Sequence, residues 1–417
     1  MDLTQSAKSR EYLDKLKTFM AEHIIPAYKS FEHSHAQGEF PLELVNSLKA
    51  KARQQGLWNL FLPALKDDEP GTRMSNLEYA PLAEQMGRVH WSSEVFNCNP
   101  PDTGNMELLH MFASEEQRER WLKPLLEGEI RSVFAMTEPD VGSSDATNIC
   151  TSIRRDGDDY VINGRKWFSS AAMHPNAKFM IVMGVTDPSP DTPVHRRQSM
   201  IIVPMDTPGV RVLRSYPILN YQMPDGICEI DYRDVRVPAS ALLGEEGEGF
   251  KLAQARLGPG RIHHCMRAIG QAELALELLC DRALYRETFG KTLSQYSNIQ
   301  DWIAMSRMEI EQTRLYTLRA AWLIDTQGNR AAATEVSAIK VAAARMLSNV
   351  ADRAMQVFGG GGLTPDSPLA FMYTWGRAFR FFDGPDEVHY RSIARQELKA
   401  AKERRGSYGP FLADRLE

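Results

Sequence analysis

EVSAIKVAAARMLSNVADRAMQVFGG, residues 335–360, repeats its apolar positions at intervals of three and four: Val336, Ile339, Ala343, Met346, Val350, Ala354 and Val357. That period lines them up on one face of an α-helix, a stripe made to pack against neighbouring helices. The run stops at the glycine tract Gly359 to Gly362, as a helix does when the next residue must take a positive φ. Upstream, IGQAELALELLCDRALY repeats the pattern through Ile269, Leu276, Leu279 and Ala283. Residues 245–417 therefore read as a helical bundle, with only the charged end KERRGSYGPFLADRLE outside the pattern.

Moving towards the N-terminus, the helical period is lost between residues 131 and 244. IRSVFAMT, DYVING, KWFSS, KFMIVMGV and SMIIVPM are short β-prone runs parted by turn residues. Asp156-Gly157 and Asn163-Gly164 permit the positive φ angles of a type I′ turn, so both are expected to reverse the chain and fold residues 152–170 into a meander. The spacing suits a small barrel or sandwich. Residues 1–130 return to short amphipathic stretches such as LVNSLKAKARQQGL, separated by Gly and Pro signals. The expected fold is mainly α with a central β domain: an N-terminal helical domain (1–130), a middle β-barrel or sandwich (131–244) and a C-terminal four-helix bundle (245–417).

Composition narrows the function classes. With 417 residues, 43% of them hydrophobic and 25% charged, and a net charge of −5, the chain is long enough for several cores and shows no polyanion or membrane bias. No nucleic-acid partner is expected. No run approaches the roughly 18 apolar residues of a membrane span, and MDLTQSAKSREYLDKLKTFM has no apolar secretory core, so an intracellular, cytoplasmic location is expected. The end DRLE lacks a peroxisomal Ser-Lys-Leu signal. Five scattered cysteines without C-x-x-C spacing are expected to be buried thiols. His33, His35, His263 and His264 have no partner at metal-ligand spacing and read as solvated or core histidines, and no metal is expected. The glycine tract lacks the Gly-Lys-Ser/Thr of a phosphate loop.

FAMTEPDVGSSDA, residues 134–146, ends a β-prone run with hydroxyls, Gly and Pro, which alone would make a polar turn. It resembles the signature of the acyl-CoA dehydrogenase family, and the resemblance extends in order along nearly the whole chain. NGRKWFSS, GRIHHCMRAIGQAELAL, YRETFGK and MQVFGGGGL resemble that family's flavin-facing strand, its Gly-Arg-Ile helix, its Arg-x-Thr-Phe-Gly motif and its Gln-x-x-Gly-Gly motif. The resemblance implies FAD as cofactor, with Thr137 and the backbone around Phe134 and Met136 against the pyrimidine side of the flavin. It implies Phe168, Ser169 and Ser170 along the ring, and Ser143 near both the FAD pyrophosphate and the thioester arm of CoA. Phe168 stands where the family more often has Trp, and strand alternation would equally make it a core residue. Arg286, Thr288, Gln356, Gly359 and Gly360 resemble residues that reach FAD across a subunit interface, Arg offering the planar fork that suits a pyrophosphate. The resemblance thereby implies at least a dimer, the family's usual state being a dimer of dimers.

FRFFDGPDEVHYR, residues 379–391, offers three carboxylates where the resemblance implies the catalytic base. Asp383 fits best, because Phe379, Phe381 and Phe382 are expected to desolvate it and raise its basicity, and Gly384 lets the backbone approach a thioester carbonyl. Asp386 is expected to cap a helix with the stripe Tyr390, Ala394, Leu398, or to touch FAD. Glu387 lies in the first turn, where the family has an FAD contact. Arg261 is implied at the substrate side, where a minority of the family carries an alternative Glu base. Asp in place of the commoner Glu is shared with nitroalkane oxidases of the same fold, and the DGPDEVH wording resembles a subgroup found in larger fused eukaryotic proteins. Ser144 and Phe371 depart from the family's usual Asp and basic residue. The implied reaction is FAD-dependent α,β-dehydrogenation of an acyl-CoA, as in fatty-acid β-oxidation, with an electron-transfer flavoprotein as acceptor. An oxidase of the same fold and a non-turnover acyl-CoA binder are the alternatives.

Overall fold

The computed structural model describes residues 1–408 and 411, with residues 257–259 described as helix without their side chains. The terminal DRLE and the GP of the preceding run lie outside the described residues. The chain opens with α1 (Ala7–Phe19), which passes through a wider turn into α2 (Ile25–Ala36). It continues with α3 (Leu42–Gln54), α4 (Asn76–Gly87), α5 (Ser92–Val95), α6 (Asp102–Phe112), α7 (Glu115–Gln117) and α8 (Lys123–Leu126). In α3 the predicted period buries Val45, Leu48 and Ala52. A capping box opens α4, where the Ser75 hydroxyl accepts from the Glu78 N–H and the Glu78 carboxylate accepts from the Ser75 N–H.

Eight strands follow: β1 (Arg131–Ala135), β2 (Ser152–Asp156), β3 (Asp159–Ser170), β4 (Ala177–Val185), β5 (Gln198–Pro204), β6 (Val210–Ser215), β7 (Ile227–Pro238) and β8 (Leu242–Leu243). They form one sheet in the order β6-β7-β3-β2-β4-β5-β8, with β1 parallel to β4. Alternation along β4 divides its side chains between two cores. Phe179, Ile181 and Met183 join the helices. Met180 and Val182 join Val133, Ile153, Ile162, Ile201 and Ile230 in a core supplied by the strands alone. The sheet thus curls over its own interior and offers its outer face to helices.

One of the two expected turns is there. Asp156 pairs with Asp159, leaving Gly157 (φ 63) and Asp158 as a two-residue hairpin loop. Asn163-Gly164 does not reverse the chain, so DYVING and KWFSS are halves of one strand, β3. The reason is local. The Asn163 amide reaches across to β7, donating to the Asp234 carboxylate at 3.1 Å and accepting from the Asp234 N–H at 2.9 Å. Gly164 (φ 152) lets Thr151 crowd in, where a Cβ would lie 2.5 Å from its hydroxyl. The pair stays in strand, and the irregularity falls opposite it, where Arg233 and Asp234 of β7 bulge against Asn163.

After the sheet come α9 (Gly249–Tyr285), the small hairpin of β9 (Glu287–Thr288) and β10 (Lys291–Thr292), then α10 (Ser297–Gln327), α11 (Ala333–Phe358), α12 (Leu369–Phe379) and α13 (Asp386–Glu403). Every residue of the quoted stripe on α11 is buried, as are Ile269, Leu276, Leu279 and Ala283 on α9. The α11 helix ends on Gly359 at φ 64. Helices α4 and α9 touch backbone to backbone: a Cβ on Gly270 would fall on the Glu84 carbonyl oxygen, and one on Gly87 on the Arg267 carbonyl. The α13 stripe differs from expectation, since Tyr390, Ala394 and Leu398 are exposed and the helix buries Asp386 and His389 instead.

A buried ionic knot joins helices to sheet. Arg131 at the start of β1 pairs with Glu94 of α5 and Asp102 of α6, and Lys49 of α3 also pairs with Glu94. The remaining Asp102 oxygen accepts from the Ser132 N–H at 2.8 Å and the Ser132 hydroxyl at 2.5 Å. Cys98, Cys228 and Cys265 are buried thiols, but Cys150 is exposed and Cys280 partly so. Among the described residues no helix is long and apolar enough to cross a membrane.

Candidate active site

The run Phe379–Gly384 leaves α12 and turns sharply, because Asp383 (φ 54) and Gly384 (φ 99) both adopt the left-handed region before Pro385 starts α13. For a non-glycine residue this conformation costs about 1–3 kcal/mol, and the surroundings must hold it. Three side chains do so. Arg261 Nε of α9 and His389 Nε2 of α13 donate to the Asp383 carbonyl at 3.1 and 3.2 Å. Lys340 of α11 donates to the Phe379 carbonyl and lies 3.4 Å from that of Gly384. A Cβ at Gly384 would sit 3.0 Å from His389 Nε2, so glycine is also what lets that histidine reach the loop.

With its backbone held, the Asp383 side chain is left uncommitted. Its nearest charged or polar side-chain partner is His264 of α9, whose Nε2 lies 3.4 Å from Oδ2. The expectation that aromatic neighbours raise its basicity is corrected here. Burial does push the carboxyl up, but His264, Arg256, Arg261 and Lys340 more than offset it and hold its pKa below the usual carboxylate value. The aromatics are also fewer than expected: Phe379 is buried and Phe382 partly so, while Phe381 is 59% exposed beneath Arg377.

The TEPDVGSS turn follows β1. Met136 and Thr137 lock to β3 beside Trp167: the Thr137 hydroxyl donates to the Trp167 carbonyl at 2.8 Å, and the Trp167 N–H donates to the Thr137 carbonyl at 3.0 Å. Lys166 donates to the Met136 carbonyl and the Glu138 carboxylate, both at 2.8 Å. Glu138 also accepts from the Cys150 and Thr151 N–H groups, so it pins the whole turn. The Ser143 hydroxyl is spent inside that turn, accepting from the Glu138 N–H at 2.8 Å. Phe134 lies under the Arg256 guanidinium, 3.9 Å from its ring centre. A bulge at Trp167-Phe168 lifts Phe168 (φ 49) out of the strand alternation, so it is 46% exposed and stacked on Tyr216 at 5.4 Å. It is not a core residue. Ser169 is buried with its hydroxyl unpartnered, and Ser170 is exposed.

The remaining predicted residues lie elsewhere. Arg286 and Thr288 leave the C-terminus of α9, and Gln356, Gly359 and Gly360 the C-terminus of α11, at one end of the bundle where Arg282 covers the Phe358 ring. Arg286 is exposed and, among the described residues, forms no ion pair; a Cβ on Gly359, Gly360 or Gly361 would meet open space. From Arg261 to Arg286 along α9 is about 37 Å at the helical rise of 1.5 Å per residue. One chain therefore holds two separate clusters. An exposed aromatic ring with an open hydroxyl at one, and an exposed guanidinium and bare glycine backbone at the same end of the bundle at the other, fit a flat ring and a pyrophosphate respectively.

Asp386 is not the N-cap that its position suggested. Pro385 takes that place, and Asp386 is buried in the first turn, accepting from Arg380 at 2.9 Å with Arg345 at 3.5 Å and one oxygen unpartnered. Glu387 is exposed. Of the four histidines, His33 is exposed and His35 and His263 are buried, as expected, and His264 diverges. His263 is a core residue between Phe61 and Tyr79, but His264 faces Asp383. His35 is buried within reach of Glu32 and His90. Both its ring nitrogens are committed, to the Gln222 carbonyl and the Tyr221 hydroxyl, which makes it a polar tie between α2 and the loop before β7. His264, Arg256 and Lys340 were the residues missed, although Arg261, His264 and Arg267 share a spacing of three that marks one helix face.

The chain matches the acyl-CoA dehydrogenase N-terminal domain over residues 6–129, the middle domain over 133–235 and the C-terminal domain over 247–398. It is 53% identical over 411 residues to "Probable acyl-CoA dehydrogenase FadE2" of Mycobacterium tuberculosis, covering 96% of this chain and 98% of that one. Acyl-CoA dehydrogenase family member 11 of Gallus gallus is 52% identical over 94% of this chain, but the chain spans only 51% of that longer protein. A solved structure from Mycobacterium abscessus, assigned to the acyl-CoA dehydrogenases, superposes with a TM-score of 0.91 at 49% identity, covering 95% of this chain and 99% of its own. The cofactor is the FAD of that family. The chain belongs to the acyl-CoA dehydrogenase family and is an oxidoreductase of that type.

Proposed function

We propose that the chain dehydrogenates an acyl-CoA thioester between its α and β carbons, giving a trans-2-enoyl-CoA, with Asp383 as the base. The observation that carries this is a half-buried carboxylate on a braced backbone, whose oxygens have no hydrogen bond of normal length among the described residues. Its lowered pKa keeps it ionised at neutral pH, ready to accept the α-proton. When bound, FAD would supply the acceptor for the β-hydrogen, which leaves as hydride. Gly384, with no side chain, lets its N–H approach the thioester carbonyl and favour the enolate-like charge that develops there. Arg261 acts at the same loop from beneath, through the Asp383 carbonyl.

Phe134, Met136, Thr137, Phe168, Ser169 and Ser170 would border the flavin ring, with Ser143 shaping the turn beside it. Arg286, Thr288, Gln356, Gly359 and Gly360 would serve the FAD of a second copy, since about 37 Å of α9 separates them from their own Asp383. The buried unpaired oxygen of Asp386 and the exposed Glu387 would take hydroxyls or amides at the same boundary. A dimer of dimers would cover the exposed Tyr390, Leu398, Phe289 and Leu363. An electron-transfer flavoprotein is the proposed acceptor. The test is anaerobic mixing of the FAD-loaded protein with short, medium, branched and long acyl-CoAs while the flavin absorbance is followed. Bleaching by a member of the panel is expected; no bleaching by any of them would overturn the proposal.

A further inference from the structure

His264 stands between the proposed base and a buried guanidinium. Its Nδ1 lies 3.2 Å from Arg267 Nη2. A guanidinium only donates, so Nδ1 accepts and the ring proton sits on Nε2, the nitrogen that faces Asp383 Oδ2 at 3.4 Å. Phe379 and Phe382 flank the ring, with centroids 6.0 and 5.1 Å away, and leave it little freedom to turn. Burial first, and then Arg267, hold the imidazole pKa down to about 3, so it is a neutral donor over the working range. From this arrangement we infer that His264 is a positioning residue: its Nε2–H takes Asp383 Oδ2 and leaves Oδ1 as the oxygen that meets the substrate's α-hydrogen. The inference rests on Asp383 being the base.

The other charged groups around Asp383 stand further from its carboxylate. Arg261 and His389 donate to its backbone carbonyl, Lys340 to the Phe379 and Gly384 carbonyls and Arg256 to Asn105 at 3.1 Å, and none of them comes within 4 Å of a carboxylate oxygen. They set the local potential, and among the described residues His264 is the one charged or imidazole side chain within 4 Å of the carboxylate. A contact of 3.4 Å is longer than a finished hydrogen bond, and a small rotation of the carboxyl as substrate arrives shortens it. An aspartate also has less reach than a glutamate, so the choice of which oxygen faces the substrate matters more.

The experiment compares His264→Gln with His264→Asn. A glutamine amide nitrogen reaches the place of Nε2, whereas an asparagine reaches only that of Nδ1. Anaerobic flavin reduction by the best acyl-CoA of the panel is followed by rapid mixing across pH, with FAD content and melting temperature recorded for each protein. His264→Gln is expected within about threefold of the parent rate and with the same acid limb. His264→Asn should lose about ten- to a hundredfold through misplacement of the base. Its acid limb should rise by about one pH unit, because a hydrogen bond to the charged form is gone. Equal behaviour of the two variants, whether both intact or both impaired, overturns the proposal. If the Asn protein does not fold, Arg267→Met serves: it frees Nδ1, mixes the tautomers and should move the limb the same way by less, and an unmoved limb there also overturns it. Asp383→Asn separates the two readings, since retained bleaching in that protein removes Asp383 as base whatever His264 does.

Discussion

The Arg131 knot buries its carboxylates among cations and the Asp383 loop half-buries one, and the two are completed to different degrees. In the knot every carboxylate oxygen has a donor: Lys49 and Arg131 on Glu94, Arg131 and Ser132 on Asp102. At the loop the donors stop at the backbone carbonyls, and the carboxylate keeps only a distant histidine. A saturated centre has nothing left to offer a ligand and serves as a joint between helices and sheet. An unsaturated one is held in place by its surroundings and free at its reacting atoms, which is the condition for proton transfer.

The largest test of that contrast is Asp383→Asn, expected to keep FAD and lower the rate of flavin reduction by about 10³-fold or more, as removal of a general base should. Full activity would erase the distinction. Next comes Arg131→Met, which leaves buried Asp102 without a cation and Glu94 with Lys49 alone, and should cost about 3–5 kcal/mol in chemical denaturation while leaving the reduction rate per bound FAD near that of the parent. A protein of unchanged stability would show the knot to be dispensable. The knot should also respond to acid. Burial pushes the Glu94 carboxyl up, but Arg131 and Lys49 outweigh it and hold the pKa at about 2, below the ordinary value of 4.5. Its contribution is therefore complete above pH 4.5 and is lost as pH falls through about 2. Melting curves between pH 5 and 2 should slope downward in the parent and flatten in Glu94→Gln. The smallest effect is at Lys340→Met, where losing one cation near Asp383 should raise the acid limb of flavin reduction by about half a unit to one unit.

The helices were legible because burial obeys a local period. Val336 to Val357 on α11 and Ile269 to Ala283 on α9 needed only neighbours three and four residues away to declare their face. The strands were legible as runs but not as joins, since Asn163-Gly164 has the chemistry of a turn and is held in strand by Asp234 of β7 opposite. Asp383 could be singled out, with Gly384 after it, from its own segment. Its electrostatics could not, because the cations around it come from α9 and α11 and meet the loop only in the folded chain. The same holds for His264, whose role depends on a residue far along the chain, and for Asp386, whose buried side chain is claimed by Arg380 and Arg345 before it can cap anything.

The contact of α4 with α9 has a further consequence. Gly87 and Gly270 leave no gap there, and the Arg267 carbonyl itself is one of the touching atoms. The turn of α9 that carries Arg267, and His264 one turn before it, is thus indexed against a neighbouring helix by main-chain atoms, which cannot change identity by mutation. Side chains elsewhere on α9 can vary while this datum stays where it is. The fold thereby separates what is tunable, the side-chain surface of the helix, from what must not drift, the axial setting of the residues proposed to hold the base.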